Sequence, residues 1–151
     1  MNIKNKIDKN CIDLNLKSTN KEDLLKELIE VLYKNGIVYD KEGFFKDVCM
    51  REEIGPTSIG NNIAIPHGKS PYVKKVCVAI GKVNNGVEWN DINNSIVSFI
   101  ILFAVPESEN SKVEMKLMSE ICIKLADDSI CEKLIYSKTK EDIVEILSWK
   151  F

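Results

Sequence analysis

The chain has 151 residues, of which 44% are apolar and 29% charged, and its 21 basic and 23 acidic side chains leave a formal charge of -2. That length is one ordinary domain with one core, expected over residues 1–151, and no tract has the composition of a disordered chain. The charge balance lacks the basic footprint that counterion release requires, so no nucleic-acid partner is expected.

The opening Met1-Asn2-Ile3-Lys4-Asn5-Lys6 is charged, but neither an apolar stretch nor a small-residue cleavage site follows it. A signal peptide is therefore not expected, and the reading places the protein in the cytoplasm. Ile12-Asp13-Leu14-Asn15-Leu16 alternates apolar and polar residues with the period of a half-buried strand. Ser18, Thr19 or Asn20 can cap the helix that follows. Leu24, Leu25, Leu28, Ile29, Val31 and Leu32 recur along it at helical spacing, and it stops at Asn35-Gly36, where a left-handed cap is cheap. A second helix is expected to start near Asp40 and to bury Phe44, Phe45, Val48 and Cys49, with Arg51 and Glu52 at its C-terminal end.

Between Gly55 and Gly68, three glycines and two prolines predict an irregular loop around a short strand Ile63-Ala64-Ile65, with His67 at its exit. Lys75 to Val83 is rich in β-branched residues. Asn84-Asn85-Gly86 then signals a turn before Val87-Glu88-Trp89, so these runs are expected to form a hairpin. The apolar run Ile96 to Val105 is about half the ~20 residues that cross a bilayer. It predicts a central strand covered on both faces rather than a membrane insertion. Val113, Leu117, Ile121 and Leu125 recur every four residues on a helix beginning at Ser111. Two short helices close the chain, one over Ile130 to Tyr136 and one capped by Thr139 and reaching Trp149. The sum is an α/β fold: a single domain with a mixed β-sheet of about five strands and helices on both faces.

Cys11, Cys49, Cys77, Cys122 and Cys131 form an odd set without a C-x-x-C pair and read as reduced core residues. The basic residues are more telling. They comprise 20 lysines and one arginine, Arg51, sixteen residues before the only histidine, His67. A lone histidine is most often a surface or satisfied core residue. This one follows the rigid Pro66, precedes Gly68 and closes a glycine-rich stretch whose amides can face an anion. Neutral imidazole is a nucleophile near neutral pH and can attack phosphorus without a strong base to activate it. Phosphoryl transfer asks the protein chiefly for electrostatic stabilisation, which the planar, permanently charged fork of arginine supplies better than lysine. Alternatively, Arg51 merely offsets a helix C-terminal dipole, a task that lysine performs equally well.

Other chemistries are less favoured. One histidine and unspaced cysteines make no zinc site, so no metal is expected. The stretch Gly55 to Gly60 lacks the spacing of a nucleotide P-loop, and no cofactor is expected.

Glu52, Ile59-Gly60 and Ile63-Ala64-Ile65-Pro66-His67-Gly68, with six residues between Glu52 and Ile59, resemble the phosphorylation-site signature of the fructose/mannitol type of phosphotransferase-system IIA domains. Further resemblance lies in Tyr39 to Phe44, Arg51-Glu52-Glu53, Thr57, Gly86-Val87-Glu88-Trp89 and Phe103-Ala104-Val105-Pro106. The resemblance implies a phosphocarrier subunit in uptake of fructose or a related sugar or alditol. His67 would accept a phosphoryl group from phospho-HPr as a tele-phosphohistidine and pass it to a IIB domain. Arg51 would stabilise that group, with Thr57, Gly60 and Gly68 in the phosphate loop. It further implies association with the membrane IIC complex without insertion. Members of this family usually carry a second histidine where this chain has Glu114-Met115. The alternative within the same resemblance is a regulatory protein of the nitrogen-related branch, whose phosphorylation state controls binding to partner proteins.

Overall fold

The computed structural model describes residues 6–108 and 111–149, and the side chains of residues 111, 113 and 114 lie outside the described ones. After a short 3-10 turn at Lys9–Cys11, the elements are β1 (Ile12–Asp13), α1 (Lys21–Lys34), α2 (Lys41–Ile54), β2 (Ser58–Gly60), β3 (Ile63–Ala64), β4 (His67–Ser70), β5 (Cys77–Glu88), β6 (Ile96–Pro106), α3 (Ser111–Leu125), α4 (Asp128–Tyr136) and α5 (Lys140–Ser148). Helix starts follow the local chemistry. Asn20, Asp40, Asp127 and Thr139 each sit in extended backbone and accept a hydrogen bond from an amide of the first turn. At its other end α1 terminates at Asn35-Gly36, where Gly36 adopts φ 72°.

β6 organises the sheet. Its residues alternate between two cores, as the pleat requires. Ile100, Leu102 and Ala104 face the core built on α1 and α2, with Leu24, Leu28, Phe44 and Val48. Phe99, Ile101, Phe103 and Val105 face the core built on α3, α4 and α5, with Leu117, Ile121, Leu134 and Leu147. The expected α/β architecture with helices on both faces is thus what the chain adopts.

The sheet has six strands rather than about five, in the order β1-β5-β6-β3-β2, with β4 also paired to β6. β5 runs antiparallel to β6 along one edge. The other edge is shared end to end by two short parallel strands: β3 aligns Ile63 with Phe99, and β4 aligns His67 with Phe103. Between them, Pro66 has no N–H to donate, so the ladder breaks at Ile65-Pro66 and resumes at His67. The stretch read as an irregular loop around one short strand holds that strand at Ile63–Ala64, and the flanking residues expected to be loop form β2 and the start of β4. β2 folds back antiparallel on β3 through Asn61 and Asn62, both in the left-handed region at φ 54° and 63°.

A second difference concerns Asn84-Asn85-Gly86. These residues do not turn the chain; they lie inside the continuous strand β5, where the register on β6 jumps between Lys82↔Phe99 and Val87↔Val97. Gly86 at φ 68° supplies the left-handed residue of this bulge. A turn signal and a bulge signal are the same chemistry, and only the pairing across the strand distinguishes them. The reversal comes later, in the Asn90 to Ser95 stretch, where the Asp91 carboxylate accepts from the Ser58 hydroxyl and the Ser95 amide. Among the cysteines, Cys11, Cys77 and Cys131 are buried as expected, whereas Cys49 is half-buried and Cys122 exposed. All five are free thiols, and burial pushes Cys49, Cys122 and Cys131 up from the ordinary thiol range.

Replacing Gly86 by alanine should lower stability by about 1–3 kcal/mol in urea unfolding, because the residue is left-handed and a Cβ there would lie 2.5 Å from Ile96 Cγ2. The hydrogen bonds from Ser58 and Ser95 lower the Asp91 carboxyl to about 2, so an NMR titration of carboxyl carbons should return a midpoint near that value. A lowered carboxyl stabilises the fold above the unfolded-state value of 3.8, and that contribution should fade as pH falls through about 2.

Candidate functional site

His67 opens β4 and is half-buried, with its backbone held against Phe103 of β6. Its ring is held from both sides. Nδ1 lies 3.2 Å from the carbonyl oxygen of Ile65, in the joint between β3 and β4. Nε2 lies 3.0 Å from Nε of Arg51, which donates to it. A carbonyl can only accept and a guanidinium N–H can only donate, so the two contacts select one tautomer: Nδ1 carries the proton and Nε2 presents a lone pair.

Arg51 projects from the last turn of α2. Its Nη1 donates to the carbonyl of Gly55 at 2.9 Å, the residue that follows the helix. The sole arginine therefore satisfies a carbonyl at a helix C-terminus and also meets the imidazole. A lysine ammonium is a single point donor without the planar fork by which Nε and Nη1 reach the two acceptors in fixed directions.

The remaining residues expected in the loop fall in different places. Gly68 is buried beneath α2, where a Cβ would lie 2.8 Å from Val48 Cγ2 and 2.9 Å from Phe44 Cε1. Its lack of a side chain lets β4 approach the helix that carries Arg51. Gly60 ends β2 at φ 87° with open space beyond, at the start of the Asn61-Asn62 turn. Thr57 is buried, and its hydroxyl donates to Glu52 Oε1 rather than standing free. The expectation for Glu114 falls on a side chain outside the described residues.

Sequence reading did not single out the polar cluster behind this pair. Glu52 is only 9% exposed. Its Oε2 accepts from Lys21 Nζ at 2.9 Å and from the Thr57 amide at 3.3 Å. Lys21 also donates to the Trp89 carbonyl at 3.2 Å and lies 4.7 Å from the centre of the Trp89 ring. Glu52, Thr57 and Trp89 all fall within the motif residues quoted for the resemblance, which was the available signal. Lys21, at the start of α1, carried none.

Among the described residues, no group of three or more His, Cys, Asp or Glu side chains is placed to hold a metal ion, and no helix is long and apolar enough to cross a membrane. The arrangement offers an imidazole whose Nε2 lone pair accepts from a fixed guanidinium, so that exchanging this hydrogen bond for an anionic electrophile would leave nucleophile and positive charge side by side. Long-range proton–nitrogen NMR of the neutral ring should show Nδ1 protonated and Nε2 bare. Removing the guanidinium in Arg51→Met should give a tautomer mixture.

The chain matches the family model described as the phosphoenolpyruvate-dependent sugar phosphotransferase system, EIIA 2, over residues 5–150. It is 28% identical over 151 residues to the PTS system 2-O-alpha-mannosyl-D-glycerate-specific EIIABC component of Escherichia coli strain K12. That alignment covers 99% of this chain and 23% of the longer relative, so the chain spans less than a quarter of that protein. The nitrogen regulatory protein IIA-Ntr of Neisseria meningitidis has the same fold, with TM-score 0.85, 25% identity and coverage of 96% of this chain and 98% of that one. So does Escherichia coli mannitol enzyme IIA in its complex with phosphorylated enzyme IIB, with TM-score 0.78, 26% identity and coverage of 94% and 96%. With the model matched from residue 5 to residue 150 and the fold shared throughout, the chain belongs to the EIIA type 2 family of the phosphoenolpyruvate-dependent sugar phosphotransferase system.

Proposed function

We propose that this chain is a phosphoryl carrier that takes the group from phospho-HPr onto His67 Nε2 and passes it to a cysteine of a IIB domain during sugar uptake. The observation that carries the reading is the pair of contacts on His67, Nδ1 to the Ile65 carbonyl and Nε2 to Arg51 Nε, from which the tautomer follows. The family membership supports the phosphotransferase class, and the mannitol relative in complex with phosphorylated IIB supports a IIB partner.

In the forward step the Nε2 lone pair attacks phosphorus, forming the new N–P bond. The N–P bond of the donor histidine breaks, and its electron pair returns to the donor ring. The His67 ring gains positive character, which the Ile65 carbonyl stabilises through Nδ1–H. Once Nε2 is bonded to phosphorus it can no longer accept from Arg51. The guanidinium Nε–H then turns to a phosphoryl oxygen while Nη1 keeps its hold on Gly55. Transfer onward reverses the geometry: a thiolate attacks phosphorus and the electron pair returns to Nε2. Arg51 shields the charge of the equatorial oxygens in both directions. In this reading Gly60 and Gly68 shape the loop and Thr57 supports it from behind. The sugar is handled by other parts of the system, and association with the membrane component passes through those parts.

A regulatory role is the second reading, favoured by the similarity to the nitrogen regulatory protein of Neisseria meningitidis. It uses the same histidine but needs no IIB acceptor.

Incubation with phosphoenolpyruvate, enzyme I and HPr should add one acid-labile phosphoryl group, seen as a mass increase of the intact chain, and His67→Ala should abolish it. Arg51→Lys should remain folded and accept the group on the order of 100-fold more slowly, as when one preorganised donor is lost. A stable adduct in His67→Ala would remove the reading. Transfer from the loaded protein to a IIB domain supports transport, and a loaded protein that no IIB domain discharges supports regulation.

A further inference from the structure

Two backbone contacts hold the His67–Arg51 pair, and both trace back to one buried carboxylate. Arg51 Nη1 is held by the carbonyl of Gly55, and His67 Nδ1 by the carbonyl of Ile65. The Ile65 amide donates to the Thr57 carbonyl at 3.0 Å, so Ile65 is fixed in place by Thr57. Thr57 in turn is gripped twice by Glu52, through its hydroxyl on Oε1 and its amide on Oε2. Gly55 and Thr57 are two residues apart in the same short stretch. Anchoring that stretch on α2, one residue after Arg51, therefore sets the guanidinium and the imidazole relative to each other.

Stability alone is a poor account of such a cluster. Burying a carboxylate costs several kcal/mol of solvation, and replacing a buried ion pair with apolar residues is often neutral or stabilising. Here the carboxylate is matched by Lys21 at 2.9 Å, and Lys21 is itself oriented by the Trp89 carbonyl and ring. What a charged acceptor does that an apolar residue cannot is hold two donors of one residue in a fixed direction. Glu52 does so for Thr57.

We infer that Glu52 is a positioning residue for phosphoryl transfer, acting through Thr57 and held by Lys21, with no contact to the phosphoryl group. The chain of bonds runs from Glu52 to Thr57 to Ile65 to His67 Nδ1, and it keeps the proton on Nδ1 so that Nε2 stays nucleophilic. This rests on the carrier reading of His67.

The test compares the full chain with Thr57→Val, which removes the hydroxyl with little change of shape, with Thr57→Ser, which restores it, and with Glu52→Gln. Two quantities are read: the fraction of His67 with the proton on Nδ1, by long-range proton–nitrogen NMR, and the split of kcat and KM for phosphoryl uptake from phospho-HPr. Thr57→Val should shift the tautomer toward a mixture and lower kcat on the order of tenfold at unchanged KM, as a small misplacement of reacting groups does. Thr57→Ser should recover both, and Glu52→Gln should move both in the same direction as Thr57→Val. A folded Thr57→Val with an unchanged tautomer and unchanged kcat overturns the positioning role, as does failure of Thr57→Ser to rescue. If Thr57→Val does not fold, the same two readings on Glu52→Gln decide. Absence of phosphoryl uptake by the unmodified chain removes the carrier reading instead, and the tautomer measurement keeps the two failures apart.

Discussion

The structure depends on how the two edges of β6 are occupied. Its residues from Val97 to Pro106 are buried apart from Ser98, so both faces must be covered and both edges paired. One edge takes the long strand β5. The other is too long for either β3 or β4 and is covered by both, one after the other. Two short strands on one edge require a joint, and a joint leaves backbone groups outside the ladder. The carbonyl of Ile65 is such a group, and it faces Nδ1 of His67. The contact that fixes which ring nitrogen of His67 accepts thus originates in the pairing needs of a strand in the middle of the sheet.

Arg51 reaches the same place by a separate route. Gly68 lets β4 lie close under α2, against Val48 and Phe44, and Arg51 is one turn beyond Val48 on that helix. Helix and strand converge, and the last turn of one meets the first residue of the other. The Ile65 carbonyl on Nδ1 and the Arg51 Nε–H on Nε2 together fix which ring nitrogen accepts. A charge-assisted hydrogen bond of this kind contributes roughly 1.5–3 kcal/mol, enough to order a side chain and small enough to be exchanged for a better anion.

Much of this was legible in the residues, and for identifiable reasons. α1 follows from hydrophobic periodicity, β6 from an unbroken apolar run that needs cover on both faces, and the starts of α1, α2 and α5 from polar residues at the right offsets. Arg51 and His67 stood out because each is the only residue of its kind. The loss of legibility also has a cause. Asn84 to Gly86 carry left-handed propensity, which serves a turn or a bulge equally, and the choice is made by β6 across the ladder. β2 and β4 are too short, at three and four residues, to show a period, and Pro66 between β3 and β4 reads as a breaker. Lys21 was invisible because its role is defined by Glu52 and Trp89, 31 and 68 residues away. Nothing local to α1 distinguishes it from the other lysines.

In the proposed carrier role the chain must release what it accepts, and one arginine suits that better than several cations. Two unit charges 4 Å apart attract by about 4 kcal/mol at an effective dielectric constant of 20 and by about 1 kcal/mol in water. Arg51 is half-buried and already bonded to Gly55, so its hold on each negative charge of a phosphoryl group lies between those limits. Several converging cations would bind the group more tightly in the loaded state and slow its departure, because stabilisation shared by ground state and transition state gives no rate. The chain carries 20 lysines and a net charge of -2, yet among the described residues the side chain bonded to His67 is the single guanidinium. In the proposed carrier role, one fixed, directional charge can lower the barrier in both directions without trapping the loaded state, which is the condition a relay must meet.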